Sequence, residues 1–523
     1  MGQIINGSLV IVGLLLIIVG GVILGIFPTI LKQKVSEEMA ILKDTDAFDR
    51  WKETPVPVYM KYNFFILDNS DNYNSLNDIV LKEKGPYVYK ETRIKQNISI
   101  SLDWEHISYR EKKTYEFVPE KSCQKCKEED YVNVINFPLL GILFNEKFKT
   151  FRTTINDTYT KAAKNNTLKP YELEIFLNES VQNILFKGVH YNLMDELNNN
   201  LLIPFKLPLL DPNYRINDNY TVLEEEWTIN TGKNDLKKLA QIERFDYKTS
   251  LINDDMKTYI WNSNPEDVLD SEDCNKLRGT DAELFKPFID KDDVLYVYEP
   301  QICRTVYFKY WKESSVQDID TYRFRIPQEY YASPLKVKGN MCYCIKERKD
   351  NKECDRSCTL DISRCWRRSI GAPIIMSAPY WVNGLHNGED LRKQVGNKGL
   401  TSKLEYNDEN FDTYLDIEPL TGITMAAHKR MQMSIEVKGT DSIPLLKKLF
   451  DSKANQSYII PVFWIEEVAE ADESQADKFK SMVTNKKKLA IGLSIAAIVL
   501  GVILLIIAIV LMYRQRRTGK KIV

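Results

Sequence analysis

Nine cysteines and four histidines are the residues of this 523-residue chain with the most chemistry to offer. Five of the cysteines crowd into CYCIKERKDNKECDRSCTLDISRC, from Cys342 to Cys365, and two more form CQKC at Cys123–Cys126. Such a cluster can hold a metal, exchange electrons or brace loops as disulfides. Zinc sites are built from Cys-x-x-Cys pairs or from cysteines with nearby histidines, and the segment from 342 to 365 has neither. CQKC would be a redox pair if it opened a helix after a strand. Its flanks, VPEKS and KEEDY, lack that context, so a local disulfide is expected there. His106, His190, His386 and His428 form no H-E-x-x-H, and no G-x-S-x-G elbow, P-loop or G-x-G-x-x-G occurs. The sequence therefore gives no catalytic residue, metal site or cofactor site. What the cysteines become depends on the compartment they occupy.

Two uncharged segments decide that compartment. SLVIVGLLLIIVGGVILGIFPTIL runs from Ser8 to Leu31, and LAIGLSIAAIVLGVILLIIAIVLMY from Leu489 to Tyr513. Each is long enough to cross a hydrocarbon core of roughly 30 Å. The first has no basic n-region and exceeds a signal peptide's apolar run, so an uncleaved anchor is expected. Residues 1–7 and 514–523 then lie in the cytosol, and residues 32–488 form an extracellular or lumenal domain. Sequons at Asn97, Asn156, Asn165, Asn178, Asn219 and Asn455 all fall between the spans, as do all the cysteines. Arg514, Arg516, Arg517, Lys520 and Lys521 mark the second span's cytosolic flank. Lys32, Lys34 and Lys486 to Lys488 pull the other way, but glycosylation pattern and cysteines outweigh them. On that side of a membrane the cysteine segment reads most simply as a disulfide framework. A net charge of −2 leaves no basic excess for nucleic acid. KKIV at the C-terminus matches a dilysine retrieval pattern, although basic residues also anchor a cytosolic tail at the membrane surface.

Between the spans the texture is mostly that of strands. TPVPVYMKYNFFILDN, GPYVYKETRIKQNISISL, IDTYRFRIP, YLDIEPLTGITMAAHKRMQMSIEVKG and YIIPVFWIEEVA are β-branched, aromatic and bounded by Pro and Gly. The segment from Leu31 to Thr54 is charged and helical in character, and Glu466 to Lys488 reads as a helical stalk. Val181, Ile184, Leu185, Val189, Leu193 and Leu197 recur at helical spacing, which predicts a helix across Asn178–Leu202. Small residues four apart, Gly21 with Gly25 and Ala497 with Gly501, offer contacts for pairing the spans within one chain or in a homodimer. The fold class expected is α+β, a single large ectodomain tethered at both ends.

PVPVYMKYNFF, GPYVYKE, CNKLRGTDAELFKPF, ICRTVYFKY, MCYC, LDISRC and YLDIEPLTGIT, in that order between two terminal spans, resemble the class B scavenger receptors. The resemblance covers nearly the whole chain and is strongest from Cys274 to Thr424. It implies an antiparallel β-barrel-like ectodomain, an apical helical bundle over about residues 150–203, a disulfide-braced region over 274–365, and a hydrophobic tunnel toward the bilayer. A closed barrel has no sheet edges and can enclose an apolar cavity, where each buried CH₂ of a lipid contributes roughly 0.8 kcal/mol. The family pattern implies bridges Cys274–Cys342, Cys303–Cys365 and Cys344–Cys354 beside Cys123–Cys126. Cys358 is then left over and competes with Cys354 for Cys344. Apical basic residues bind ligands in relatives; here Lys161, Lys164, Lys169 and Lys187 stand in that region.

The resemblance thus implies a receptor and conduit for lipids (fatty acids, sterols, phospholipids) or lipoprotein particles at the plasma membrane or in endosomes and lysosomes. The competing readings are a sorting receptor whose partner is a lysosomal enzyme and, with least support, a membrane-bound hydrolase.

Overall fold

In the computed structural model the described residues are 2–54, 56–69, 78–144, 175–188, 220–250, 274–343, 356–363, 373–382, 408–438 and 457–519, with a few isolated positions between. Helices α1 (Gly2–Met39) and α2 (Asp46–Lys52) precede strands β1 (Val58–Leu67), β2 (Leu81–Ile100) and β3 (His106–Phe117). Then come β4 (Tyr131–Ile135), α3 (Phe137–Phe144), β5 (Phe176–Ser180), β6 (Thr221–Asn230), β7 (Ile242–Phe245) and the small pair β8 (Ile252–Asn253) and β9 (Thr258–Tyr259). β10 (Val294–Glu299), β11 (Arg304–Val316), β12 (Ile319–Arg325), β13 (Leu360–Asp361) and β14 (Ile374–Ser377) follow. The chain ends through α4 (Asp408–Phe411), β15 (Tyr414–Ile417), β16 (Thr424–Lys438), β17 (Ser457–Glu470), α5 (Glu473–Phe479) and α6 (Asn485–Gly519).

One antiparallel sheet dominates, in the order β10-β11-β12-β15-β16-β17-β1-β2-β3-β6-β7, with β13 and β14 attached to β16. Its two edges nearly meet. The backbone of Gly279 and Thr280 lies between them: Ile242 donates its N–H to Gly279 O at 2.8 Å, Thr280 donates to Tyr296 O at 3.0 Å, and Tyr298 donates to Thr280 O at 3.0 Å. The seam needs glycine. Gly279 has φ +85°, and a Cβ there would stand 1.8 Å from Tyr296 O. The sheet is thereby a nearly closed barrel with few free edge groups.

β1 pairs with β17, Val58 opposite Ala469, so the strands next to the two terminal helices are neighbours. α1 and α6 are long, apolar and mostly exposed along Ile11–Ile30 and Leu489–Met512, as membrane-crossing helices are. They pack on each other where side chains are absent: a Cβ on Gly501 would lie 2.5 Å from Gly13 O. Gly21 and Gly25, by contrast, have no neighbour within 4 Å and face away from α6.

Several boundaries differ from the sequence expectation. The helical character expected from Leu31 onward is present in α1 to Met39, where the Lys34–Glu38 pair (3.2 Å) supports it, and in α2, but the second span's helix continues past its uncharged run from Tyr513 to Gly519. The expected stalk starts as strand: β17 runs to Glu470, and Asp472 then caps α5 by accepting from the Gln475 N–H at 2.9 Å. Within Asn178–Leu202, the chain is β5 through Ser180, then a short wide-turn helix (Asn183–Lys187) that ends at Gly188 with φ +87°. Val181, Ile184 and Leu185 are buried in it, whereas Val189, Leu193, Leu197 and most of the apical region lie outside the described residues.

Candidate functional site

Period-two alternation puts one face of each strand inside the barrel. On β2 that face reads Tyr87, Tyr89, Glu91, Arg93, Lys95, passing from aromatic to ionic along one strand. On β3 it reads Phe117, Tyr115, Lys113, Glu111, Tyr109 in the same direction. The barrel interior thus carries a packed column of aromatic rings (the shaft) above an ionic floor. The floor lies toward the end where α1 and α6 leave, since Glu91 is opposite Val58 at the start of β1.

The floor joins strands that do not neighbour one another. Arg93 of β2 reaches Glu467 of β17 at 2.8 Å and also pairs with Glu91. Lys95 is 1 % exposed and meets Glu283 at 2.7 Å and Glu111 at 3.4 Å. Lys113 bonds Glu224 of β6 at 2.6 Å and Glu111 at 3.5 Å. Lys429 of β16 lies 3.4 Å from Glu467 and 4.0 Å from Glu299 of β10. Asp281 accepts from the Glu283 N–H at 3.0 Å and faces the Tyr109 hydroxyl at 3.4 Å. Most of these groups, though not Lys95 or Glu91, line a small polar cavity with Trp227 and Tyr298. Burial and then the Glu283 charge push the Asp281 carboxyl up to about 6. Burial also raises Glu111, but Lys95 and then Lys113 overcome it and hold that carboxyl at about 2.

Above the floor the rings touch in sequence. Tyr62 is 6.0 Å from Tyr89, Tyr89 is 4.8 Å from Phe186, and Phe186 stacks on Tyr220 at 4.6 Å. Tyr62 and Tyr89 bury their hydroxyls, and neither has a hydrogen-bond partner among the described residues. Buried hydroxyls are ordinarily paired, so these two mark a place where a polar atom fits.

Of the lysines singled out in the sequence, Lys187 is exposed at the end of the short apical helix, donates to Gln182 and lies 6.0 Å from the Tyr220 ring. It therefore stands at the rim of the shaft. Lys161, Lys164 and Lys169 lie outside the described residues. Asn97 and Asn178 are exposed, and the other four sequon asparagines lie outside the described residues.

Cys123 is bonded to Cys126, and Cys303 to Cys365 with Cα atoms 5.6 Å apart. Cys274 is disulfide-bonded, while the side chain of Cys342 and all of Cys344 and Cys354 lie outside the described residues. Cys358 is a buried thiol in the main core. Beside the Cys303–Cys365 bridge, Arg304 is buried between the rings of Trp261 (4.5 Å) and Tyr343 (3.6 Å), and donates to Asp361 O at 3.2 Å. Trp261 in turn donates to Cys303 O at 2.7 Å. The ionic floor and Arg304 went unnoticed in the sequence. The only available signal was a strand with polar residues on both faces, and that pattern also fits a solvated edge.

A family model described as the CD36 family matches residues 11–512. Among curated proteins, the chain is 28 % identical over 459 residues to Lysosome membrane protein 2 of Homo sapiens, covering 88 % of this chain and 84 % of that protein. It is 25 % identical over 507 residues to Scavenger receptor class B member 1 of Sus scrofa, covering 97 % and 89 %. It is 27 % identical over 463 residues to Sensory neuron membrane protein 2 of Manduca sexta, covering 85 % and 81 %.

Proposed function

The chain belongs to the CD36 family and is a scavenger-receptor-type protein with two membrane-crossing helices; from that premise we propose that its ectodomain takes in lipid through the aromatic shaft. The observation that carries this is the pair of Tyr62 and Tyr89 hydroxyls, buried without partners in a column of rings. An amphiphile fits such a place, because its chain gains roughly 0.8 kcal/mol per CH₂ against the rings and its polar end satisfies the hydroxyls. Fatty acids, sterols and phospholipids are the ligand class, delivered free or from lipoprotein particles. Lys187 at the rim, with Lys161, Lys164 and Lys169 upstream, supplies the positive charge that draws anionic ligands. The small cavity in the ionic floor does not admit an acyl chain, so passage to the bilayer requires the floor to part. The protein acts as a receptor and not an enzyme.

The remaining bridges, Cys274–Cys342 and Cys344–Cys354, and glycans on the exposed Asn97 and Asn178 belong to the same proposal. Likeness to Lysosome membrane protein 2 supports an endo-lysosomal membrane, and likeness to Scavenger receptor class B member 1 supports the cell surface.

The test uses the full chain in lipid nanodiscs with a fatty acid carrying a photoreactive group on its acyl chain. Cross-links are expected on peptides of β1, β2, β3 and the helix bearing Phe186. They should weaken when Tyr62 and Tyr89 are both changed to Phe. Cross-links confined to α1 and α6 would overturn the reading. Capture of a lysosomal hydrolase from native membranes, with no bound lipid in the purified protein, would favour the sorting-receptor alternative.

A further inference from the structure

The β2–β3 hairpin overshoots the sheet on the membrane side. β1 begins at Val58, opposite Glu91, yet β2 continues another nine residues to Ile100 (100 − 91). β17 leads into α5 and α6 from that same end of β1, at Ala469 and Glu470. The hairpin is therefore directed toward the bilayer.

Its tip, SLDWE from Ser101 to Glu105, exposes two large apolar side chains among its polar residues. Leu102 is 102 % exposed, and Trp104 is 38 % exposed with φ +62°. A chain of hydrogen bonds ties the tip to α1. The Thr231 hydroxyl donates to Trp104 O at 2.7 Å, the Thr231 N–H donates to Glu105 O at 2.9 Å, and the Ile41 N–H donates to Thr231 O at 2.9 Å. Ile41 follows α1 by two residues, and Val35 and Met39 of α1 pack in one cluster with Ile107 and Leu239. The uncharged part of α1 ends at Leu31, eight residues before Met39 (39 − 31), which is about 12 Å of helix rise. Leu31 itself packs against that cluster, as do Ile98 and Ile100 at the end of β2. Leu102, two residues beyond Ile100, therefore lies near the level at which α1 leaves the hydrocarbon. The β6–β7 loop that carries Thr231 also carries the exposed Lys233, Lys237 and Lys238, and Lys233 Nζ donates to Asp103 O at 2.8 Å.

We propose that Leu102 and Trp104 are a third membrane contact, seated in the headgroup–acyl boundary of the bilayer that α1 crosses, with Lys233, Lys237 and Lys238 facing lipid phosphates. Tryptophan is at home at this depth, with an apolar body and one polar N–H. Each nearby lysine adds attraction to an anionic leaflet. The Asp103 carboxylate is compatible with the hydrated boundary, because it is turned back onto the Ser101 hydroxyl and the Glu105 N–H. The contact would fix the ectodomain's tilt, which a helical connection alone leaves free to bend.

The experiment uses the full chain in nanodiscs of phosphatidylcholine with phosphatidylserine. An environment-sensitive fluorophore is attached through Leu102→Cys and, as a control, through Tyr131→Cys, an exposed position on β4. At position 102 the emission is expected to shift to the blue, to lose intensity with headgroup-level nitroxide lipid, and to resist aqueous iodide; at 131 none of these is expected. Independently, brominated lipid should quench tryptophan emission less in Trp104→Phe than in the parent chain. The proposal is overturned if position 102 is as open to iodide as position 131 and is untouched by nitroxide lipid. It is equally overturned if the label is shielded only when lipoprotein particles or a soluble protein are added, which would make the tip a docking site for that partner.

Discussion

Lys95 is the residue on which the ionic floor turns. It bonds Glu283 and Glu111 while lying 5.6 Å from the rings of Trp51 and Tyr109. Lys95→Met would leave Glu111 with Lys113 (3.5 Å) and Glu283 with Arg93 (3.8 Å) as their remaining cationic partners, and removal of one partner from such a network costs up to about 3–5 kcal/mol. A clear drop in the thermal midpoint of the detergent-solubilised chain is the expected outcome, and Lys95→Met combined with Glu283→Gln should lose less than the sum of the single changes. Asp281 contributes to the pH response. Its carboxyl titrates at about 6 when folded, against an ordinary value of 3.8. Between those values the folded chain binds a proton that the unfolded chain lacks, so stability rises as pH falls through that window, by up to about 3 kcal/mol. Glu111 acts in the opposite sense. Held at about 2, it contributes stability above its ordinary value of 4.5 and loses it as pH falls from there toward 2. Melting curves of the full chain should therefore show a higher midpoint at pH 5 than at pH 7.5, and Asp281→Asn should flatten the difference. Little of this was legible in the sequence. Glu91, Arg93 and Lys95 alternate with Lys90 and Thr92, so charge patterning gave no indication of which side faced inward; only the closure of the sheet decides it.

At the scale of elements, the strands were legible because their β-branched and aromatic runs are bounded by Pro and Gly. The helix that the spacing predicts over Asn178–Leu202 begins later than its pattern implies. The apolar spacing of Val181, Ile184 and Leu185 is helical, but Asn178 and Ser180 are held as strand by the pairing of β5 with β4, Ser180 opposite Tyr131. The closing seam was not legible, because CNKLRGTDAELFKPF carries no strand pattern and closes the sheet through the backbone of Gly279 and Thr280. Gly279→Ala is expected to be among the most damaging single changes, costing more than about 3 kcal/mol, since the new Cβ meets backbone and not a movable side chain. Cell-surface biotinylation should find little of this variant, and an exposed control such as Tyr131→Ala should behave as the parent chain does. The Cys303–Cys365 bridge closes a loop of 62 residues and should stabilise by about 4 kcal/mol on the chain-entropy account. Cys303→Ser with Cys365→Ser should lower the denaturant midpoint accordingly and loosen the Arg304 sandwich, seen as a changed Trp261 environment.

For the whole molecule, the two anchors were the most legible feature, because length and hydropathy alone specify a membrane span. How they sit together was not, because the choice between Gly21 and Gly13 as the contact face depends on where α6 emerges. Gly501→Ile should separate the two helices without unfolding the barrel, which is independently joined at β1 and β17. Disulfide trapping between cysteines placed in α1 and α6 should fall while the Cys303–Cys365 bridge persists. The pairing of β1 with β17 has another consequence, for turnover. Many receptors with one span release a soluble fragment when a protease cuts their stalk. Here a single cut anywhere between the spans leaves each piece held by its own helix, and Val58–Phe64 still zipped to Phe463–Ala469. Shedding would require two cleavages, one near each anchor, so a nicked molecule stays on its membrane as a two-part receptor.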